Sequence, residues 1–506
     1  MKAIFVSCVS ATFELDNQDI YFSSKKFSIK VNGTLYKEDV ETNVFSIFNL
    51  EPNKDYEIEA NGQTCSIRTA SVSEIVSLFP GCDLQDEILK AKDDSLIELN
   101  KGDYHITSLL LRSNITINIK KGATLLANLN PDDYPEIPPY FTNEKGEEEV
   151  YGNWEGTAQR MKRSIVMAHH VENVMLVGEG TIDGQAQLST WWIDCKKKTP
   201  RPHLIFITHS NHVYLQGLHI MNSPQWTIHP FFANSCGFYD LFIENPKISP
   251  NTDGLDPQSS SDIEIIGVRF SVGDDCIAVK SGKMDMATRY KRPCDRITIR
   301  NCWMQYGHGG VVLGSEMSGG ITNLNVERCY FDRTDRGLRI KTRRGRGKLA
   351  IIDNVYFKDI KMDGVLSPIT MNMFYFCDPD GKTEYVWSKD KLPVDDRTPY
   401  LGRFTFERIV ATNAEQAAAY CYGLPEMPIN EINIMDSNFS FKEDAKAGTP
   451  AMMSFAEECR KQGFVFNNVK TVNIKNVTIS GHVGNPIKTS GVEKITTEMF
   501  KTEEEQ

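Results

Sequence analysis

The sequence predicts an all-β protein in which a long parallel β-helix follows a small β-sandwich. From about residue 100 onward, many short strands are separated by Gly, Asn and Asp turns, and few stretches have a helical period. Before residue 70, apolar and polar positions alternate in short runs that end in turn residues. The expected domains are residues 1–70 for the sandwich, 71–490 for the β-helix and 491–506 for an acidic C-terminal tail.

The composition excludes several classes of protein. The chain has 506 residues with 56 Lys and Arg against 67 Asp and Glu, a net charge of −11 that disfavours binding to nucleic acid or to an anionic membrane. Its 12 cysteines form no CxxC pair, which argues against a disulfide scaffold or a zinc ribbon. No apolar window is long enough for a transmembrane helix, and the apolar start is shorter than a signal peptide and predicts a first strand. We therefore expect a soluble cytoplasmic protein, with secretion as the alternative.

Two patterns predict the N-terminal sandwich. The alternating run Phe27–Val31 leads directly into Asn32-Gly33, a strong hairpin signal. The run Leu50-Glu51-Pro52-Asn53-Lys54-Asp55-Tyr56 resembles the corner of fibronectin type III domains, in which the Tyr hydroxyl is tied to nearby backbone. An ordinary strand-turn-strand is the alternative.

A loose repeat predicts the β-helix. Val213 and Ile263 occupy equivalent places in similar strands 50 residues apart, with another strand between them, so one unit has about 25 residues. Units of this size suit coils that stack around one continuous core. A second sandwich or a propeller would use similar strands, but a propeller needs about 40 residues per blade and a blade signature that is absent here. Residues 71–92 are expected to supply a helix that covers the first coil.

Two long irregular stretches, residues 128–165 and 377–402, interrupt the repeat. Both are rich in proline and contain aromatic residues, among them Trp154 and Trp387. Loops of this length in a compact domain are usually functional or disordered. We expect them to be ordered walls of a binding cleft, with flexible surface loops as the alternative.

Four short segments carry the candidate chemistry: Asn251-Thr252-Asp253-Gly254-Leu255-Asp256, Gly273-Asp274-Asp275-Cys276, Gly307-His308-Gly309-Gly310 and Arg339-Ile340-Lys341. Their spacings of 21, 34 and 31 residues allow them to stack on consecutive coils, whose strands lie about 4.8 Å apart. Three crowded aspartates could then provide both a proton donor and a base, the pair that hydrolysis of a glycosidic bond requires.

Each segment alone has a simpler interpretation. Asp274 and Asp275 can face one cleft only if the strand ends there, which Gly273 makes plausible. His308 could be a base, a substrate contact or a turn residue. The basic stretch from Arg333 to Lys348 could be a solvated face, although Arg339 and Lys341, two apart on a strand, could meet one carboxylate. No histidine or cysteine spacing suggests a metal site.

Taken together, the four segments resemble the signatures of glycoside hydrolase family 28, the polygalacturonases. The resemblance covers roughly residues 100 to 480 and implies a right-handed parallel β-helix, inverting hydrolysis of α-1,4-linked galacturonic acid, and no metal or cofactor. It implies that Asp274 is the general acid and that Asp253 and Asp275 position and deprotonate the attacking water. His308 would support these aspartates and contact the substrate.

The resemblance also suggests which residues hold the sugar. Arg339 and Lys341 would bind the galacturonate carboxylate, and Asn251 is expected to contact substrate. Trp226 and His229 are expected to line the cleft, with packing in the core as the alternative. Asp256 is expected to be structural.

The N-terminal sandwich and the long loops are most like those of bacterial exo-acting members, in which one end of the groove must be closed. We therefore expect an exo-acting enzyme on a polygalacturonate or oligogalacturonide. A pectate lyase and a non-catalytic β-helix that binds pectic carbohydrate are the competing interpretations.

Overall fold

A computed structural model of the protein describes residues 1–193, 195 and 201–504, and all structural statements refer to these residues. The N-terminal strands are β1 (Lys2–Val6), β2 (Ala11–Glu14), β3 (Phe22–Val31), β4 (Thr34–Thr42), β5 (Val44–Ile47), β6 (Asp55–Ala60) and β7 (Gln63–Arg68). They form two antiparallel sheets, ordered β1-β2-β5 and β4-β3-β6-β7, around a shared apolar core.

Local chemistry explains this sandwich. Asn32 and Gly33 both have positive φ, 48° and 74°, as the tight turn between β3 and β4 requires. The hydroxyl of Tyr56 accepts a hydrogen bond from the backbone N of Glu51 at 2.8 Å, the tie that the corner motif predicts. The likeness to fibronectin type III domains stays a prediction.

The following strands begin the β-helix or belong to the first long insertion: β8 (Ile75–Leu78), β9 (Ser95–Leu99), β10 (Gly102–Ile106), β11 (Leu109–Leu110), β12 (Ile115–Ile119), β13 (Ala123–Ala127), β14 (Glu136–Ile137), β15 (Tyr140–Thr142), β16 (Glu148–Val150), β17 (Asn153–Trp154), β18 (Thr157–Ala158) and β19 (Met161–Lys162). The central coils contain β20 (Val166–His169), β21 (Glu172–Val177), β22 (Thr181–Asp183), β23 (Ile205–Thr208), β24 (Asn211–Gln216), β25 (His219–Met221), β26 (Ile228–Phe231), β27 (Asn234–Tyr239), β28 (Phe242–Glu244), β29 (Ser261–Ile266), β30 (Arg269–Val272), β31 (Ile277–Val279), β32 (Cys294–Arg300), β33 (Trp303–Tyr306), β34 (Val311–Gly314), β35 (Ile321–Glu327), β36 (Tyr330–Asp332) and β37 (Arg336–Lys341).

The last coils contain β38 (Ile351–Asp363), β39 (Ser367–Asn372), β40 (Tyr400–Leu401), β41 (Arg403–Ala414), β42 (Ala417–Tyr422), β43 (Ile429–Phe441), β44 (Gln462–His482) and β45 (Ile487–Glu504). The helices are α1 (Leu84–Lys90), α2 (Met284–Tyr290) and α3 (Glu384–Trp387), with a 3-10 helix at Pro131–Asp133. Among the described residues, none of these helices has the length and apolar character needed to cross a membrane.

The strands stack into three parallel rows, which confirms the predicted β-helix. The first row runs through β9, β12, β21, β24, β27, β29, β32 and β35, and the second through β10, β13, β22, β25, β28, β30, β33 and β36. The third row runs through β20, β23, β26, β31, β34, β37, β39 and β42, with isolated bridges at Leu255 joining β26 to β31. Inward side chains of all three rows form one continuous apolar core from Leu78 to Ile479.

The two ends of the β-helix are built differently. Helix α1, within the predicted residues 71–92, adds the buried Leu84 and Ile88 to the core beside β8 and β9. At the other end, the prediction of an acidic tail over residues 491–506 is wrong for residues 491–504, because β45 extends to Glu504 and pairs with β44, while residues 505–506 lie outside the described residues. Val492 and Phe500 pack against the core, and this apolar alternation outweighs the terminal acidic residues.

A buried ion cluster joins the sandwich to the β-helix. Glu14 of β2 is 1% exposed, and its carboxylate lies 2.7 Å from Arg300 Nε and 2.6 Å from Arg328 Nη2. Burial alone would raise the pKa of Glu14, but these two guanidinium groups outweigh it and lower the pKa. Beside the cluster, Phe5 stacks on Tyr239 with 5.3 Å between ring centroids.

Candidate active site

The four predicted segments lie on consecutive coils, at or just before strands of the third row. Asp253 lies between β28 and β29, Asp274 and Asp275 lie between β30 and β31, His308 lies between β33 and β34, and Arg339 and Lys341 lie on β37. Strand β30 ends before the aspartate pair, as the sequence required for both side chains to reach one cleft.

Backbone hydrogen bonds fix the register of these coils. Gly254 N donates to Asp275 O at 3.0 Å, and Cys276 N donates to Gly309 O at 2.8 Å. These bonds place the first three segments one coil apart, which is the distance at which their side chains can interact.

The three aspartates form a compact cluster. One oxygen from each of Asp253, Asp274 and Asp275 lies within 4.8 Å of the others. Their side chains differ in exposure: 6% for Asp253, 1% for Asp275 and 23% for Asp274. Asp274 is therefore the member of the cluster that an incoming ligand meets first.

Glycines in the third segment make room for this cluster. Gly307 has φ of +77°, and a Cβ on it would lie 2.5 Å from Asp274 O. A Cβ on Gly309 would lie 2.4 Å from Val312 and 3.3 Å from Asp275 Oδ1. Both positions therefore require glycine for the turn to pass behind the aspartates.

Two cations on one strand face hold Asp275. Lys341 Nζ lies 2.8 Å from Asp275 Oδ2, and Arg339 Nη1 lies 3.3 Å from Asp275 Oδ1. Burial favours the neutral acid, but Lys341 and Arg339 outweigh it and hold the pKa of Asp275 well below its usual range. The sequence predicted that Arg339 and Lys341 could contact one carboxylate. They do so, and in the free protein this carboxylate is that of Asp275.

His308 stands at the mouth of the cluster. Its Nδ1 lies 3.4 Å from Asp274 Oδ1, and its side chain is 55% exposed. The interaction with Asp274 raises the pKa of His308. A raised pKa favours the protonated imidazole, which from this place can interact with both Asp274 and a ligand.

The expectation that Trp226 and His229 line the cleft is wrong for this structure. Trp226 is 3% exposed and His229 is fully buried. Residues of the first long insertion cover both of them: the ring of Trp154 lies 5.0 Å from that of Trp226, and Asn153 Nδ2 lies 3.3 Å from His229 Nε2. His229 Nδ1 donates to Asp256 O at 2.8 Å, and burial lowers the pKa of His229 to about 3, so it is a neutral core residue.

Asn251 also has a protein partner. Its Oδ1 accepts a hydrogen bond from Arg201 Nη2 at 2.7 Å. Arg201 is 4% exposed, and its Nη1 also donates to Pro224 O and Pro250 O. In the free protein Asn251 is therefore part of the support for the Asp253 turn.

A family model described as Glycosyl hydrolases family 28 matches residues 109–398, more than half of the chain and all of the segments described above. The chain belongs to glycosyl hydrolase family 28. This membership makes the protein a glycoside hydrolase and confirms the resemblance that the four segments suggested.

Individual relatives agree with the family. A probable polygalacturonase of Vitis vinifera is 29% identical over 408 residues, which are 77% of this chain and 77% of the relative. The family 28 exopolygalacturonase structure of Yersinia enterocolitica has a TM-score of 0.66 at 16% identity and covers 99% of this chain and 97% of its own. A hyperthermoactive exopolygalacturonase of Thermotoga maritima has a TM-score of 0.62 at 23% identity and covers 78% and 86%. At these identities the two structures support the parallel β-helix fold.

A buried lysine that none of the four sequence segments contains lies behind the aspartates of this family 28 protein. Lys280 Nζ lies 3.5 Å from Asp256 Oδ1, 3.9 Å from Asp253 Oδ2 and 3.6 Å from Glu316 Oε2. Burial opposes its charge, but Glu316, Asp256 and Asp253 outweigh burial and raise the pKa of Lys280. The sequence does contain a pattern that could have predicted this lysine. In the run Ile277-Ala278-Val279-Lys280, the two-residue period of a strand places Lys280 on the same outward face as Arg339 and Lys341.

Lys280 and its partners set the charges of the inner site. Burial favours neutral Glu316, but Lys280 and Arg346 outweigh it and lower the pKa of Glu316 to about 2. Burial raises the pKa of Asp256 to about 7 even against the charge of Lys280. For Asp253, burial and the neighbouring Asp256 raise the pKa well above its usual range. Burial therefore favours the neutral forms of Asp253 and Asp256, while Lys341 and Arg339 favour the ionised form of Asp275.

The aspartate cluster offers ligand atoms for a metal ion, but its surroundings do not suit one. Three carboxylates within 4.8 Å offer oxygen ligands of the kind that hard cations use. However, the positive charges of Lys280, Arg339 and Lys341 already lie against these carboxylates. Their charge opposes the entry of a divalent cation, which agrees with a hydrolytic mechanism that uses the aspartates themselves.

Proposed function

We propose that this glycoside hydrolase cleaves α-1,4 bonds between galacturonic acid units of pectin-derived polymers or oligomers, with inversion and by exo action. The observation that carries the substrate class is the position of Arg339 and Lys341 beside the three aspartates. A galacturonate unit that approaches these aspartates brings its own carboxylate toward two cations on one strand face. The polygalacturonase relatives named above support the same substrate class.

In the proposed reaction, Asp274 protonates the glycosidic oxygen as the bond to the anomeric carbon breaks. Its exposure at the mouth of the cluster supports this role. A water held by Asp253 and Asp275 attacks the anomeric carbon, and Asp253 accepts its proton, because the two cations on Asp275 make that carboxylate a weak base. His308 stabilises the charge on Asp274 after proton transfer.

The spacing of the aspartates and the environment of Asp275 bear on the stereochemistry of the reaction. The aspartate oxygens lie closer together than the roughly 6.5–9.5 Å typical of inverting enzymes. Asp275, however, has one oxygen against Arg339 and the other against Lys341, which makes it a poor nucleophile. This supports activation of water, and therefore inversion, over a covalent intermediate. Proton NMR of the first product should show the β anomer, and an α anomer as the first product would contradict inversion.

Two walls support exo action. The early-coil wall, residues 153–156, covers Trp226 and His229 on the coil before the aspartates, and its Gly156 O accepts a hydrogen bond from Lys283 N at 3.0 Å. The second long stretch, residues 377–402, borders the same place, where Asp378 lies 3.1 Å from Lys283 Nζ.

The late-coil wall, residues 449–453, stands on the other side of the aspartates. Arg336 Nη2 donates to Thr449 O at 2.7 Å, Asn372 Nδ2 donates to Met452 O at 3.0 Å, and Arg339 Nη2 contacts Met452 Sδ at 2.6 Å. With the early-coil wall at one end and the late-coil wall beside Arg339, the cleft suits a chain end better than the middle of a polymer. No sequence pattern predicted this wall.

The function is tested by reducing-end release from de-esterified polygalacturonate and from trigalacturonate, with EDTA present. The wild type should release reducing ends, and Asp274→Asn should lower kcat by about 100-fold or more, the effect of losing a general acid. Products that absorb in the ultraviolet, or inhibition by EDTA, would indicate a lyase instead. Binding without release would indicate a carbohydrate-binding protein.

Exo action has its own readout. Early digestion of a long galacturonan should yield one small product, with the length of the remaining polymer nearly unchanged. A ladder of intermediate oligomers from the earliest times would contradict exo action while leaving the substrate class intact.

We also propose that the protein works in a reducing, cytoplasmic compartment on short oligomers. All twelve cysteines, which lie within the described residues, carry free thiols, and this supports the proposal. Cell fractionation that finds the protein outside the cytoplasm would overturn it.

A further inference from the structure

A second cavity lies on the same face of the β-helix, beyond the late-coil wall. Its volume is about 560 Å³, within the range of small-molecule sites. Arg339 of β37 is in register with Thr370 of β39, which is in register with Tyr420 of β42, so the cavity begins two coils, roughly 10 Å, beyond Arg339. Met453 of the wall is part of its lining. We call this cavity the distal pocket.

Aromatic side chains form the walls of the distal pocket. Trp387 and Phe455 meet edge to face with 5.4 Å between ring centroids, and Tyr420 and Tyr422 lie 6.2 Å apart. Phe455 is 78% exposed and has φ of +62°, a strained conformation for a bulky residue. An exposed ring held in a strained conformation at the edge of a cavity is typical of a ligand contact.

The floor of the distal pocket contains a buried amine. Lys389 Nζ lies 3.3 Å from the ring centroid of Phe374 and 4.9 Å from that of Tyr422, and it has no hydrogen-bond acceptor among the residues that the structure describes. Burial, and then the charge of Arg344, lower the pKa of Lys389 to about 7. A buried ammonium without an acceptor is costly. Its flexible stem lines the cavity, so a change of rotamer would bring Nζ to a bound anion.

The other charged groups of the lining are at the rim. Asp390, Glu457, Glu458 and Lys488 are all exposed, and water screens their charges. The charge in the interior of the pocket is therefore that of Lys389, which selects for an anion. Asn467 and Thr489 add amide and hydroxyl groups that suit the hydroxyls of a sugar.

We propose that the distal pocket binds a uronate unit, with the sugar ring against Trp387 and Phe455 and the carboxylate on Lys389. The choice of a uronate over other anions of this size rests on the proposed function. Aromatic faces for the ring, one interior amine for the acid and polar groups for the hydroxyls are the features that this ligand needs. The uronate is either a free sugar acid or a unit of a longer galacturonide chain.

The test is isothermal titration calorimetry of the full chain carrying Asp274→Asn, with digalacturonate as the probe. We expect two binding sites per chain. Adding Lys389→Met should weaken one of them at least about tenfold, the loss expected for a hydrogen bond to a charged group, and leave the other unchanged. Phe455→Ala should weaken the same site, and because this ring is exposed the variant tests the pocket without disturbing the core.

Lys382→Met is the matched control, because Lys382 is an exposed lysine in the same chain segment that lies over Phe376 outside the pocket. It should leave both sites unchanged. A single site in every variant, or an equal loss in Lys382→Met, would overturn the proposal. Equal affinity for the neutral galactose disaccharide would overturn the assignment to a uronate.

Chain length distinguishes the two sources of the ligand. If the pocket holds part of a long substrate, hexagalacturonate should bind more tightly than digalacturonate, and Phe455→Ala should remove the difference. If it holds a free sugar acid, digalacturonate should saturate the pocket and hexagalacturonate should gain nothing. Failure of the proposed function would appear separately, as a lack of reducing-end release by the wild type, while the control Lys382→Met should hydrolyse trigalacturonate at the wild-type rate.

Discussion

Replacing Lys280 with methionine should shift the pH dependence of the reaction rather than the binding of substrate. The substitution keeps the apolar stem and removes a positive charge that lies 3.9 Å from Asp253. At that distance and an effective dielectric constant of about 20, one charge stabilises the ionised carboxylate by about 4 kcal/mol, or roughly three pKa units. The pKa of Asp253, already raised in the wild type, should rise further in the variant.

This shift has a defined consequence for the rate. If Asp253 must be ionised to help activate water, the ascending limb of the kcat profile should move by about one to three pH units toward alkaline pH. At the wild-type optimum kcat should fall by at least about tenfold and recover partly at higher pH. KM should change little, because Lys280 is 3% exposed and does not reach the substrate.

The assay is initial rates on trigalacturonate from pH 3 to 9 for the wild type, Lys280→Met and the control Lys283→Met. Lys283 lies on the same turn but pairs with Asp378, so its variant should keep the wild-type pH profile. Melting temperatures measured at each pH separate unfolding from titration. A Lys280→Met profile that superimposes on the wild type with only a lower plateau would refute the reasoning.

Three further predictions concern other charges. Lys341→Met should lower kcat/KM on galacturonides by about 100-fold, since it removes a cation from both Asp275 and the substrate carboxylate, measured by reducing-end release. Glu426→Gln should lower the free energy of unfolding by about 3–5 kcal/mol in urea, because it leaves the buried Arg344 without its partner at 2.6 Å. The low pKa of Glu316 stabilises the fold above pH 4.5, so stability should fall as the pH drops from 4.5 toward 2, and Glu316→Gln should flatten that part of the curve.

Each of these predictions has a control. For Lys341→Met, activity that falls equally on a neutral galactan would contradict a role in recognising the carboxylate. For Glu426→Gln, the exposed pair of Lys348 and Asp396 offers Asp396→Asn, which should cost less than about 1 kcal/mol. For Glu316→Gln, an acid unfolding curve identical to that of the wild type would show that other carboxylates dominate.

Much of the site could be predicted because it depends on local patterns. The order and spacing of the four segments placed them on neighbouring coils, and the two-residue period of a strand placed Arg339 and Lys341 on one face. The positions of Trp226 and His229 could not be predicted in this way. Both side chains do point outward from the third row, but an insertion some 70 residues earlier in the chain covers them.

The late-coil wall and the partners of Lys280 could not be predicted for the same reason: they depend on contacts between residues far apart in the chain. The wall is held by Arg336, Arg339 and Asn372 through contacts between residues 80 to 113 positions apart. Local periodicity contains no information on such pairings. At the C-terminus the local pattern was informative but was overlooked. The acidic composition of the last residues predicted a tail, whereas their apolar alternation makes them a strand.

The ion cluster around Glu14 has a consequence for how the chain can be shortened. Removing residues 1–70 would take away the carboxylate that Arg300 and Arg328 share, and would uncover Tyr239 and Ile266 on the flank of the β-helix. The truncated protein would carry two like charges side by side next to a bare apolar patch, a surface prone to self-association. The sandwich is thus an integral cover of the enzyme, and a minimal functional unit must retain it or replace these four side chains.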